Sequence, residues 1–185
     1  ADARQAELES PVWSPFVVPG QWVQQGHDVP QEQPVAAATD FHVPSAWAGH
    51  RIILRFDAVH GGTRYWINGH YLGASENLFT PVEWDITDVA RTGRRNRLDM
   101  EMTVDTASER LSYASGYAWH NVGGIDRSVR LIALPQTHLR DLQVEPSLDE
   151  DLAAESVRVR SSVARAAGTA AANLRVELAL KDAEG

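Results

Sequence analysis

The chain has 185 residues, 43% of them hydrophobic and 23% charged, which is enough for a real core in one ample domain and excludes a wholly disordered protein. The formal net charge of -8 is spread over both halves, which argues against binding to nucleic-acid phosphates. No cysteine is present, which removes disulfides, thiolate chemistry and cysteine-ligated metals, and no run approaches the roughly 18 apolar residues needed to cross a bilayer. The first ten residues lack the basic start and apolar stretch of a signal peptide, so the expectation is a soluble protein, cytoplasmic or exported after signal removal. Lys181 is the sole lysine among 17 basic residues, a bias that reads as genome composition.

Period-two alternation dominates and long period-3.6 stretches are missing, so the expected fold class is all-β. Residues 51–59 read as a strand with Ile52, Leu54, Phe56 and Ala58 inward; Ile53 and Val59 cover its second face, which suits a central strand. Residues 63–67 and 70–73 flank Asn68-Gly69, the dipeptide best able to take positive φ at both central positions of a type I′ turn, and predict a two-residue hairpin. Asp85-Ile86-Thr87-Asp88 ends a strand and starts a single helical turn through Ala90 and Arg91, with Thr87 or Asp88 as its cap and Asp85 bonding local backbone. Gly93 breaks that turn, and Leu98, Met100, Met102 and Val104 then alternate with Arg97, Asp99, Glu101, Thr103 and Asp105, one face buried and the other wet.

Residues 129–134 are apolar on nearly both faces and stop at Pro135, a natural domain end. Plain alternation follows from Leu139, again at Val157 and Val159 against Arg158 and Arg160, and again at Leu174, Val176, Leu178 and Leu180 against Arg175, Glu177 and Lys181. These predict three strands of a second sandwich, with Asp149-Glu150-Asp151 as a solvated turn, 164–172 as a small-residue loop and 182–185 as a turn toward another strand. An immunoglobulin-like sandwich needs about seven strands. The expected division is therefore 1–136 as one sandwich and 137–185 as the first strands of an incomplete one.

Several motifs occur together in one order: Val18-Pro19-Gly20-Gln21-Trp22, Gly26-His27-Asp28-Val29-Pro30, Phe41-His42-Val43-Pro44, Trp47-Ala48-Gly49, Ile67-Asn68-Gly69, Trp84-Asp85-Ile86-Thr87, 93–98 and Gly124-Ile125-Asp126-Arg127. The set resembles the N-terminal domain of glycoside hydrolase family 2, the β-galactosidases, β-glucuronidases, β-mannosidases and their relatives. The resemblance implies a jelly-roll, galactose-binding-domain-like sandwich followed by a truncated immunoglobulin-like sandwich. Residues 137–144 are similar to the strand that enters that second domain. The family's catalytic glutamates stand on an α/β barrel beyond both domains, and a retaining glycosidase needs two such carboxylates roughly 5 Å apart. Neither the barrel's signature nor its Asn-Glu pair occurs here, so the fragment alone is expected to hydrolyse nothing.

In that family the first domain supplies one wall of the sugar pocket. By the resemblance, the wall here is the loop 105–124, rich in Tyr113, Tyr117, Trp119, His120 and Asn121. Aromatic faces pack on the apolar side of a pyranose while amides and carboxylates bind hydroxyls, so Asp105, Tyr117, Trp119, His120 and Asn121 are the candidate sugar contacts. The alternative is that these aromatics seal the sandwich or an interdomain seam. Two departures bear on which sugar is bound: Asp105 is offset from the family's Ser-Asp-Gly segment, and Gln31-Glu32-Gln33-Pro34 stands where a Tyr-x-Asn is found.

Arg127 reads either as a ligand for a substrate carboxylate or as a residue paired inside the fold at the base of that loop. Asn68 and Gly69 are turn residues first. The seven histidines show no tight metal spacing, and no nucleophile elbow, phosphate loop or dinucleotide fingerprint occurs, so neither metal nor cofactor is expected. The expected partners are carbohydrate and the catalytic barrel of the same protein, with no nucleic acid and no membrane; the oligomeric state is not legible. A free-standing carbohydrate-binding, lectin-like module is the second reading of the same sandwich.

Overall fold

The computed structural model describes residues 13–29, 33–76, 79–112, 123–148, 154–166 and 173–181. Packing divides the chain into two compact units, Ala1–Leu134 and Pro135–Gly185.

The first unit is a β-sandwich. Its four-stranded sheet holds β2 (Val35–His42), β4 (Gly62–Ile67), β5 (His70–Ser75) and β7 (Arg95–Thr103) in the order β2-β7-β4-β5. Its three-stranded sheet has β3 (Arg51–Phe56) between β6 (Val82–Asp85) and β9 (Val129–Leu134). A third, two-stranded ladder pairs β1 (Gly20–Gln21) with β8 (Gly124–Ile125). All of these neighbours are antiparallel.

Side chains alternate across each strand, so the apolar positions at spacing two all reach one layer. Ile52, Leu54 and Phe56 of β3 meet Tyr65 and Ile67 of β4 and Leu98, Met100 and Met102 of β7 in a single core. Phe56 and Tyr65 touch across the sheets with ring centroids 5.0 Å apart. Ile53, on the other face of β3, is buried as well, in keeping with the strand's central place. The outer face of the larger sheet carries the intervening charges as exposed cross-strand pairs such as Arg64–Glu101 at 2.9 Å. Pairs of this kind contribute little to stability.

Asn68 and Gly69 join β4 to β5 with φ of 52° and 82°, and Ile67 faces His70 across the two-residue turn. An added Cβ at Gly69 meets nothing within 4 Å, so only the backbone conformation excludes other residues there. Gly69→Val is accordingly expected to cost about 1 kcal/mol or more, read as a lower midpoint of thermal unfolding. An unchanged midpoint would show that the positive φ is not required.

Asn68 has a second role in holding elements together. Its amide nitrogen donates to Val89 O (2.8 Å) and Asn96 Oδ1 (2.9 Å), and its amide oxygen accepts from Arg97 N (3.0 Å). Buried Asn96 accepts in addition from Arg91 N (2.7 Å) and donates to Arg91 O and Arg94 O. Two side-chain amides thus join the hairpin tip, the turn after β6 and the start of β7. That turn is one helical turn closed by Ala90 N donating to Ile86 O, and Asp85 steadies it by accepting from Thr87 N–H at 3.1 Å. Arg51 pairs with the same carboxylate at 2.6 Å.

The loop expected over 105–124 contains a short helix, α1 (Ala107–Ser112). Thr106 caps it, accepting from Glu109 N–H at 3.2 Å. Thr-x-x-Glu is a helix-start signal, and here it outweighs the general loop character of the segment.

In the second unit β10 (Thr137–Leu148) and β11 (Ala154–Arg165) form a long antiparallel hairpin. The third strand expected around Leu174, Val176, Leu178 and Leu180 is not formed: residues 173–181 carry no ladder and all four side chains are exposed. Alternation makes a strand only when a neighbouring edge accepts its hydrogen bonds, and these residues find none among the described ones. The turn expected at 149–151, most of the loop at 164–172 and the turn at 182–185 lie outside the described residues.

Candidate functional site

The loop 105–124 is fixed at both ends. At its entry Asp105 receives two parallel hydrogen bonds from Arg110, Nε to Oδ1 and Nη2 to Oδ2, each 2.7 Å. The Arg110 guanidinium lowers the Asp105 pKa below its ordinary value. Asp105 is therefore an ionised carboxylate already engaged by Arg110 of the helix that follows it.

At its exit the chain enters β8, where Gln21 faces Gly124 and Gly20 faces Ile125. Trp22 N–H donates to Gly123 O at 3.0 Å, and the buried Trp22 indole lies flush on Gly123. A Cβ on Gly123 would fall 1.7 Å from Trp22 Cζ2. Gly124, with φ of 137°, leaves no room either, since its Cβ would sit 2.5 Å from Gly20 O. The paired glycines before Ile125 are thus explained by close approach on both faces. Upstream, Gln25 holds the approach to β1: its amide oxygen accepts from Val17 N (2.7 Å) and its amide nitrogen donates to Val17 O (2.9 Å).

His60 lies between the two ends. Its N–H donates to Gly124 O at 3.0 Å, its Nε2 is 2.9 Å from Glu109 Oε2, and its Nδ1 is 3.5 Å from Asp126 Oδ2. Burial pushes the imidazolium pKa down, but Asp126 and then Glu109 outweigh it, leaving His60 above its ordinary value. Sequence reasoning missed this cluster, because residues 60, 109 and 126 meet only after the sheets form. The helix-start signal at Thr106 and Glu109 was its one local trace.

The other sequence candidates divide as follows. Tyr117, Trp119, His120 and Asn121, together with Tyr113, lie outside the described residues. Asp85, Asn68 and Gly69 are in the turns described above. Arg127 is exposed and makes no ion pair among the described residues. The nearby carboxylate, Asp57, is taken by Arg55 at 2.7 Å and Arg130 at 3.1 Å, with Arg127 acting on it only at longer range.

An open groove of about 950 Å³ runs along the sandwich, lined mainly by apolar side chains including Trp13, Phe16, Trp22, Val29, Met100 and Val129. Among the described residues no three His, Asp or Glu side chains converge on a cation position. No helix among them is long and apolar enough to cross a membrane.

A β-galactosidase of Alteromonas mediterranea is 30% identical over 169 residues, covering 82% of this chain and 16% of its own length. One from Priestia megaterium is 31% identical over 165 residues, covering 75% of this chain and 15% of its own. The chain therefore spans about a sixth of these curated relatives. Among solved structures, a β-glucuronidase of Ruminococcus gnavus superposes with a TM-score of 0.67 over 84% of this chain and 33% of that one, at 20% identity, and so shares the fold. Residues 17–135 match the profile of the sugar binding domain of the family 2 glycosyl hydrolases, and that span takes in the whole sandwich from β1 to β9 and both anchors of the loop; the chain belongs to this family.

Proposed function

We propose that this chain is the non-catalytic N-terminal part of a β-galactosidase-like family 2 exo-β-glycosidase, and that its loop 105–124 forms one wall of the sugar pocket. The observation that carries the reading is the double anchorage of that loop, by Glu109 of α1 against His60 at one end and by Trp22, His60 and β1 at the other. A wall that discriminates among hydroxyl arrangements has to be positioned before the sugar arrives. The aromatic and amide residues 113–121 supply apolar faces for a pyranose and donors and acceptors for its hydroxyls.

Among the described residues, the carboxylates at the base of the loop do not make a glycosidase pair. Hydrolysis needs one free acid and one free carboxylate facing the same bond, whereas Glu109 and Asp126 face a shared histidine and Asp105 is held by arginine. We assign catalysis to the barrel of the longer enzyme and read the second unit as the opening hairpin of an immunoglobulin-like domain.

The isolated chain is expected to turn over no nitrophenyl glycoside and to bind monosaccharides no tighter than roughly millimolar, about -4 kcal/mol. In the longer enzyme Trp119→Ala and His120→Ala should weaken substrate binding or turnover while the fold stays intact. Unaltered kinetics in both variants would overturn the pocket-wall reading. Micromolar glycan binding by the isolated chain would favour a lectin-like module instead.

A further inference from the structure

His60 is where three separate pieces of chain meet: its own segment after β3, α1 through Glu109, and the exit of β8 through Asp126. The side chains of His60 and Glu109 are 4% and 8% exposed, and that of Asp126 is 25% exposed. A neutral imidazole carries one N–H, and an ionised carboxylate only accepts. A carboxylate at each ring nitrogen is therefore matched by imidazolium alone. The approach of Nε2 to Oε2 is close but oblique, and both atoms lack an aligned hydrogen bond. Charge rather than direction holds that contact.

Glu109 and Asp126 are the charged groups that face the ring from the elements packed on it. Of the cations next to these carboxylates in the chain, Arg110 is paired with Asp105, and Arg127 acts on Asp57 at longer range. An uncharged ring would leave a buried Glu109 without its counter-charge, and both carboxylates would then repel across residue 60.

We propose that His60, as an imidazolium, is a positioning residue of the enzyme: its ion pairs with Glu109 and Asp126 set the spacing of the two ends of the sugar-facing loop and thereby strengthen substrate binding. The proposal rests on the pocket-wall reading above. The raised pKa of His60 gives it a pH signature. A raised folded-state pKa means the tie is fully present below the ordinary imidazole value of about 6.5 and is lost as pH rises through the folded-state value.

The test compares KM and kcat across pH in the longer enzyme for four proteins: unaltered, His60→Gln, Glu109→Gln and Trp119→Ala. The unaltered enzyme should show KM climbing on the alkaline side. In His60→Gln, KM below neutrality should be about tenfold higher with kcat within about twofold, and the alkaline climb should vanish. Glu109→Gln keeps the shape but removes one counter-charge, and should move the climb to lower pH. If Trp119→Ala raises KM while His60→Gln leaves both KM and its pH profile unchanged, the tie falls and the pocket wall stands. If both variants are silent, the pocket wall falls and takes the tie with it. A His60→Gln enzyme that loses kcat and thermal stability but retains the alkaline climb would reduce His60 to a structural residue and overturn the proposal. Should His60→Gln not fold, Glu109→Gln decides, and an unshifted climb refutes.

Discussion

Asn96→Ala is expected to lower the unfolding free energy of the sandwich by on the order of 3 kcal/mol, because it strands several partners at once. The Asn96 amide makes four hydrogen bonds while 1% exposed, to Asn68 Nδ2, Arg91 N, Arg91 O and Arg94 O. Arg91 and Arg94 are surface residues, so water reaches part of what is lost, and the effect falls short of four full penalties. Denaturant titration of the chain measures it. A loss below about 1 kcal/mol would mean that solvent replaces the hydrogen bonds of Asn96 and that the Asn68–Val89 bond and apolar packing suffice to join the hairpin tip to the turn after β6.

Gly123→Ala is expected to be about as damaging, near 3 kcal/mol, for a steric reason. The added methyl would lie 1.7 Å from Trp22 Cζ2 and 2.3 Å from Cε2, and a buried indole is a rigid neighbour that cannot swing aside. Either the ring leaves its place or the β1–β8 ladder parts. Trp22→Ala in the Gly123→Ala background should therefore cost much less than Trp22→Ala alone, a coupling visible in a double-mutant cycle. Additive effects would show that the indole does not rest on residue 123.

Most of the sandwich was legible because its signals are local. The alternation at 98–104, the filled second face of β3 and the Asn68-Gly69 turn each need only a few neighbouring residues to be read, and each corresponds to an observed element. The pattern at 174–180 is just as regular and forms no strand, since periodicity describes a face and does not supply a partner edge. The loop base was harder still. Gly124 was visible as part of a motif, but Gly123 before it is required by an indole about a hundred residues upstream in the chain. The partners of Asp57 follow from cross-strand register, which places Arg55 opposite Arg130 and brings both guanidinium groups to one carboxylate. His60 carried no distinguishing neighbour in the sequence, and only the meeting of α1 with β8 gives it a role.

The strand order also governs how this unit can be built as it leaves the ribosome. Among the described strands of the sandwich, β4 and β5 alone pair through a tight turn; β2 has to wait some sixty residues for β7, β3 gains its second neighbour only with β9, and β1 finds β8 about a hundred residues later. Loop-closure entropy is paid before such distant pairings reward it, which slows folding and prolongs the time that apolar strands stay uncovered. During synthesis the apolar β3 segment has one open edge until residues 129–134 emerge. The last strand of the sandwich to be made is the one that completes its smaller sheet, so a nascent chain of this protein holds unfinished β-structure through nearly the whole length of the domain.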